Sequence, residues 1–202
     1  MKENDNVSFM VTQTARIKPL AKLTCSSRRI GYHAPSFQRR TPMTIQIGER
    51  IPDASLSQLQ DGVQSLSTRD LFDGRKVLLF SVPGAFTPTC STKHLPGYIQ
   101  LFEEFQRRGI HVACMAVNDP FVMSAWAKSQ DVPSGLMMLS DGNGAFSQAL
   151  GLEMDATAFG MGMRSKRFAL FAEDGVLKIL HVESPGEFRV SSAEAMLAAI
   201  GD

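Results

Sequence analysis

Apolar and polar positions from residue 43 onward fall into short alternating or aliphatic runs, longer amphipathic stretches, and breaks rich in glycine, proline and aspartate. Thr44-Ile45-Gln46-Ile47 alternates polar with apolar, and Gly48 to Asp53 reads as a loop. Leu56 to Gln60 and Val63 to Leu66, divided by Asp61-Gly62, predict a short hairpin. Ser67 or Thr68 caps a short helix, Arg69 to Phe72, which Asp73-Gly74 closes. Lys76 to Val82 contains the run Val77-Leu78-Leu79-Phe80; it is short, aliphatic and stopped by Pro83-Gly84, and so predicts a buried strand. A helix is expected from about Pro88 to about Arg107, with an early kink or break at Pro96-Gly97 and its end at Gly109. Ile110 to Val117 is the next strand, and Asn118-Asp119-Pro120 opens a helix through Ser129. Leu136 to Leu139 is a short strand, followed by the turn Asp141-Gly142-Asn143-Gly144 and a helix from Ala145 to Leu150. Arg167 to Ala172 and Val176 to Val182, joined by Glu173-Asp174-Gly175, predict a second hairpin. Ser191-Ser192-Ala193-Glu194 has the capping-box pattern and starts a last helix, Ala193 to Ile200.

Parallel strands with helical crossovers, joined to an antiparallel hairpin, make an α/β fold whose mixed central sheet is flanked by helices on both faces. The order of elements resembles a thioredoxin-like architecture. With 202 residues, 44% of them hydrophobic, the chain is long enough for one such domain with a substantial core. The formal net charge is +1, but residues 1–42 hold eight Lys/Arg against two Asp/Glu, so the remainder is mildly acidic. An acidic domain argues against nucleic acid as the main partner, and no apolar run is long enough for a membrane span. Cys25, Cys90 and Cys114 are too few and too scattered for a disulfide framework, lack the paired spacing of a zinc site, and fit a reducing compartment.

Residues 1–42 stand apart from the domain expected at 43–202. Between Asp5 and Glu49 there is no acidic residue, whereas Arg16, Lys18, Lys22, Arg28, Arg29, Arg39 and Arg40 are basic. Three readings stand open: translation starting at Met43, an organellar targeting segment, or a functional tail. Disorder is expected in each case. The first reading goes with a cytoplasmic protein, the second with a mitochondrial or plastid one.

The segment Pro83-Gly84-Ala85-Phe86-Thr87-Pro88-Thr89-Cys90 carries the chemistry. Thr87 suits the N-cap and Pro88 the first helical position, which places Cys90 in the first turn. Backbone N–H groups there lack intrahelical partners and the helix dipole is positive, so a thiolate is favoured. Taken without its surrounding motif, a lone cysteine such as Cys90 is more often a small buried hydrophobe than a nucleophile.

Pro83 to Tyr98, PGAFTPTCSTKHLPGY, resembles the active-site segment of the peroxiredoxins of the peroxiredoxin-five or type II subgroup, whose Pro-x-x-x-Thr/Ser-x-x-Cys pattern is met by Pro83, Thr87 and Cys90. VACMAVNDPFVMSAW, SDGNGAF and RSKRFALFAEDGVLK extend the resemblance over about Ile47 to Ile200. It implies a thiol-dependent peroxidase for hydrogen peroxide and organic hydroperoxides, with Cys90 oxidised to a sulfenic acid. By the same resemblance Thr87 bonds the thiolate or the peroxide and Pro83 shields the pocket. Arg167 is the essential arginine, with Arg164 the nearest alternative, and the N–H groups of Thr89 and Cys90 complete the anion site. No metal or organic cofactor is implied. Phe86, Leu95 and Phe121 hint at room for organic peroxides. A homodimer is implied through the face of the active-site loop, with Trp126 near the contact. His94, four residues after Cys90, either tunes the thiolate or is a structural hydrogen-bonding residue.

Relatives that resolve the sulfenic acid internally near the C-terminus would carry a cysteine around Ser191, where this chain has Val190-Ser191-Ser192. Cys114 is the other candidate for a resolving residue, since some relatives use a cysteine in this strand, but it shares a strand face with Val112 and Ala116, an apolar setting that makes a thiol inert. An external thiol, glutathione with glutaredoxin or else thioredoxin, is therefore the expected reductant. A peroxide sensor or holdase using Cys90 without sustained turnover is the alternative.

Overall fold

The structure, a computed structural model, describes residues 43–201. The expectations for residues 1–42, Cys25 included, lie outside the described residues. Ser55–Leu59 (β1) and Val63–Ser67 (β2) form the first hairpin, with Leu56 opposite Leu66, and Asp61 and Gly62 supply the positive φ of its turn. Helix α1 (Thr68–Phe72) follows at once, its N-cap Ser67 accepting from the Asp70 N–H. The central strand β3 (Lys76–Ser81) leads into the Cys90 loop. Beyond it come α2 (Leu95–Gln100), α3 (Phe102–Arg107), β4 (Ile110–Ala116) and α4 (Pro120–Ser129). The chain then forms β5 (Met137–Ser140), α5 (Ala145–Ala149), β6 (Glu153–Asp155), β7 (Met163–Ser165), β8 (Phe168–Glu173), β9 (Val176–Val182) and α6 (Ala193–Ile200).

Seven strands line up in the order β2-β1-β5-β4-β3-β8-β9. β3, β4 and β5 are parallel neighbours, whereas β8 runs antiparallel to β3 and β9 antiparallel to β8. The period-two alternation of β3 sends Leu78 and Phe80 to one face and Val77 and Leu79 to the other, and all four are fully buried. The first face packs under α2, α3, α4 and α6 through Tyr98, Phe105, Trp126 and Met196. The second packs under α1 and α5 through Leu71, Phe72 and Phe146. Each such fully buried large side chain contributes about 1.5–3 kcal/mol relative to exposure, so both layers hold the sheet.

Four local expectations differ from the structure. Pro96-Gly97 does not interrupt a helix; Pro96 lies within the first turn of α2. The irregularity flanks it instead. Cys90–His94 form a widened π-turn in which the Leu95 N–H reaches the Cys90 carbonyl, and the helix breaks again at Leu101 between α2 and α3. The cause is local: Pro96 has no N–H to return to Thr92, so the preceding turn opens by one residue. Thr44–Ile47 is not a paired strand. Ile45 is buried and its N–H bonds the Leu150 carbonyl at 3.0 Å, while Ile47 is exposed. Gly151 permits that contact, since a Cβ there would lie 2.9 Å from the Thr44 backbone. The small β6–β7 hairpin, with Met154 opposite Arg164, was not expected, because three-residue strands carry no readable period. The last helix is capped by Ser192, which accepts from the Ala195 N–H at 3.2 Å, and not by Ser191. Ser191 is turned inward, with its hydroxyl 2.8 Å from a Glu183 carboxylate oxygen.

Candidate active site

The loop leaving β3 is shaped by backbone contacts before any side chain acts. Val82 extends the parallel pairing through its N–H to the Met115 carbonyl (3.0 Å), and Asn118 Oδ1 accepts from the Ala85 N–H at 3.0 Å. Gly84 is buried, and a Cβ on it would meet Thr87 Cγ2 at 3.3 Å. Phe86 adopts φ +61°, a left-handed conformation costly for an aromatic residue, and its ring stays exposed. The helical turn then begins at Pro88, as expected, with the Ser91 N–H on the Thr87 carbonyl at 3.0 Å. The Thr87 hydroxyl, however, does not cap this turn; it donates back to the Gly84 carbonyl at 2.9 Å, closing the loop onto itself. Pro83 is half-buried at the loop entrance.

Cys90 is fully buried at the end of this loop. Arg167, the residue before β8, extends across to it, and its Nη2 donates to Cys90 Sγ at 3.4 Å. The two are neighbours because β8 pairs with β3 so that Phe168 lies opposite Ser81, where the loop departs. Arg164 is spent elsewhere: its Nε donates to the Met161 carbonyl (2.8 Å) and its Nη1 to the Val117 carbonyl (2.7 Å). Those bonds tie the β6–β7 hairpin to the end of β4.

His94 is wholly buried beside Arg167. Its Nδ1 lies 2.9 Å from Arg167 Nη1 and its Nε2 3.0 Å from the Ser191 carbonyl oxygen. Burial, and after it the Arg167 cation, pull its pKa down to about 3, so the ring is neutral at physiological pH. Ser191, which stands where an internal resolving cysteine would lie, is buried; its N–H and hydroxyl both reach Glu183 Oε1 at 2.8 Å, and its carbonyl also accepts from the Tyr98 hydroxyl at 2.9 Å. Burial raises the Glu183 pKa, but the donors from Ser191, Arg189 and Val190 outweigh it and hold the carboxyl below its usual range. Phe188 closes the outer side, 4.9 Å from the His94 ring and 5.8 Å from Arg167 Cζ.

Cys114 lies in β4 within the same apolar cluster as Cys90, with Val112 and Ala116 on its face as the alternation predicts. Burial pushes its thiol well above the ordinary value, and charge on Cys90 adds to the rise. Trp126 is buried and donates its Nε1–H to Ser91 Oγ at 3.0 Å, next to Cys90. Leu95 is buried in the core, leaving only Phe86 and Phe121 of the proposed apolar trio exposed. Sequence reasoning missed Glu183, Ser191 and Tyr98 as partners of the site: Ser191 meets His94 and Tyr98 across more than ninety positions, and Glu183 joins Ser191 and Arg167 through a loop with no periodic pattern.

The Redoxin family profile matches residues 46–197. Peroxiredoxin-2E, chloroplastic, of Arabidopsis thaliana is 47% identical over 79% of this chain and 72% of its own. Peroxiredoxin-2B of the same plant is 45% identical over 77% of this chain and 98% of its own. Reduced Prx3 from Vibrio vulnificus, solved in complex with H2O2, superposes with a TM-score of 0.75 and 48% identity, covering 78% of this chain and all of that one. The chain belongs to the peroxiredoxins. A peroxiredoxin is a thiol-dependent peroxidase, an oxidoreductase that takes electrons from thiols, and its fold is the thioredoxin-like mixed sheet described above. Among the described residues no group of three His, Cys, Asp or Glu side chains is placed to hold a metal ion.

Proposed function

We propose that Cys90 is the peroxidatic cysteine and that its sulfenic acid is resolved by a thiol from outside the chain. The observation that carries this reading is the Arg167 Nη2 donor 3.4 Å from Cys90 Sγ in a site closed by Pro83, Gly84 and Thr87. An always-charged guanidinium favours the thiolate and stabilises charge growing on peroxide oxygens. The sulfur attacks the terminal peroxide oxygen, the O–O bond breaks, and water or an alcohol leaves with the proton. Sulfur is oxidised to Cys–SOH. Thr87, whose proton is engaged by Gly84, offers its oxygen lone pairs as acceptors toward the peroxide hydroxyl. The N–H groups of Thr89 and Cys90 lie in the same turn.

Resolution from outside follows from what surrounds Cys90. Cys114 is buried in an apolar strand, and the Ser191 position holds no thiol. Glutathione with glutaredoxin is the proposed donor, thioredoxin the competing one. The first thiol displaces water from Cys–SOH to give a mixed disulfide, and a second thiol releases Cys90. Phe86 in the loop and Phe121 at the start of α4 are exposed large apolar side chains and support a homodimer, checkable by light scattering. The cytoplasm is the proposed location; a plastid or mitochondrion is the alternative, in keeping with the chloroplastic relative.

The deciding experiment measures peroxide consumption with glutathione–glutaredoxin against thioredoxin, for wild type, Cys90→Ser and Cys114→Ser. Turnover is expected to vanish in Cys90→Ser and to persist in Cys114→Ser under the glutaredoxin supply. Equal loss in both variants would refute external resolution.

A further inference from the structure

Four residues close a ring of hydrogen bonds around Arg167. Its Nη1 meets His94 Nδ1 at 2.9 Å, His94 Nε2 meets the Ser191 carbonyl at 3.0 Å, and Ser191 meets Glu183 Oε1 at 2.8 Å through both N–H and hydroxyl. The Glu183 N–H then donates to the Arg167 carbonyl at 3.0 Å. The direction of each bond is fixed by chemistry. A guanidinium can only donate, so His94 Nδ1 is the acceptor; a carbonyl can only accept, so the imidazole proton is on Nε2. The Ser191 carbonyl thereby selects the one tautomer that leaves a lone pair facing Arg167. With Nη1 held by that lone pair, the planar fork of the guanidinium turns Nη2 onto Cys90 Sγ. Phe188, half-buried, packs its ring beside both members of the pair.

We infer that His94 is a positioning residue for the peroxidase reaction, its Nδ1 lone pair orienting Arg167 on Cys90 while its Nε2 proton ties the Cys90 turn to the segment carrying Ser191. The inference rests on the peroxidase reading above, and it assigns the two ring nitrogens separate tasks. Nδ1 serves the reaction and Nε2 serves the fold.

Two amides of similar chemistry separate these tasks. In His94→Asn the amide oxygen takes the place of Nδ1 and keeps an acceptor for Arg167, but nothing reaches Ser191. In His94→Gln the amide takes the place of Nε2 and keeps a donor for Ser191, but the acceptor is gone. The rate of Cys90 oxidation by hydrogen peroxide is followed by quenched-flow mass spectrometry of the dimedone-trapped sulfenic acid, and stability by urea unfolding of the same proteins. His94→Asn is expected to react within about threefold of wild type while being the less stable variant. His94→Gln is expected to be the more stable one and to react roughly ten- to a hundredfold more slowly, the span of one hydrogen bond to a charged group. Rates that fall together, or that follow the stability order, overturn the proposal and leave His94 a purely structural residue. Wild-type Cys90 that peroxide fails to oxidise removes the peroxidase reading and this proposal with it.

Discussion

Cys90 and Cys114 are both fully buried and belong to one apolar cluster, yet their surroundings make opposite use of a thiol. Cys114 sits in the interior of a parallel strand whose backbone groups are consumed by β3 and β5, beside side chains that offer it no donor. Cys90 sits in the loop beyond the end of β3, in a turn opened by a proline six residues further on, with a guanidinium nitrogen on its sulfur. Burial by itself therefore says nothing about reactivity. What matters is whether the fold delivers a fixed positive donor to the buried sulfur, and only the end of β3, next to the start of β8, does so.

The contrast is broken most severely at the donor. Arg167→Lys keeps the charge but replaces a two-pronged fork by a single ammonium, so it cannot hold His94 and Cys90 together. Peroxide oxidation of Cys90 is expected to slow by about 10²–10³, the usual cost of one preorganised electrostatic donor, with little change in unfolding by urea. A lysine variant that reacts at the wild-type rate would show that charge alone suffices.

Acid sharpens the same contrast, because the Cys90 region is wired through ionisable groups and the Cys114 region is not. His94 has a folded pKa of about 3, below the value near 6.5 expected in an unfolded chain. Between these values the unfolded chain binds a proton that the native one refuses, so stability falls as pH is lowered from about 6.5 toward about 3. The slope at its steepest is on the order of 1 kcal/mol per pH unit. Glu183, held below its usual range, adds a second loss lower down, as pH falls through the carboxylate range. Urea unfolding at several pH values is expected to show the upper slope in wild type and its absence in His94→Gln.

The smallest effect belongs to the quiet thiol. Cys114→Ser places a hydroxyl among Val112, Ala116 and Tyr98 and is expected to cost about 1–3 kcal/mol of stability without slowing the oxidation of Cys90. Cys114→Ala leaves a smaller defect. A serine variant as stable as wild type would mean that Cys114 has a polar partner.

How much of this was legible in the sequence depends on how far apart the cooperating residues lie. Leu78 and Phe80 announced a buried strand within four positions, Asp119-Pro120 announced the start of α4, and the Pro83–Cys90 run announced the turn that Arg167 reaches. The alternation in β4 placed Cys114 on the correct face. The widened turn was not legible, because a proline signals that a backbone donor is missing without saying which neighbouring turn will adjust. The choice between Ser191 and Ser192 as cap was not legible either. Two adjacent serines offer the same local chemistry, and it is Glu183, eight residues back and outside the helix pattern, that draws Ser191 inward. His94 carries two readings in the sequence, and the structure gives each ring nitrogen its own partner, Arg167 on Nδ1 and the Ser191 carbonyl on Nε2.

Trp126 is the only tryptophan in the chain, and it is hydrogen-bonded to the residue next to Cys90. The protein therefore carries an optical gauge of its own reacting turn. Any event that lifts Ser91 away from α4 frees the indole N–H and lets water approach the ring, moving its emission to longer wavelength. Fluorescence recorded through a cycle of oxidation and reduction would thus report movement of that turn in the unlabelled protein.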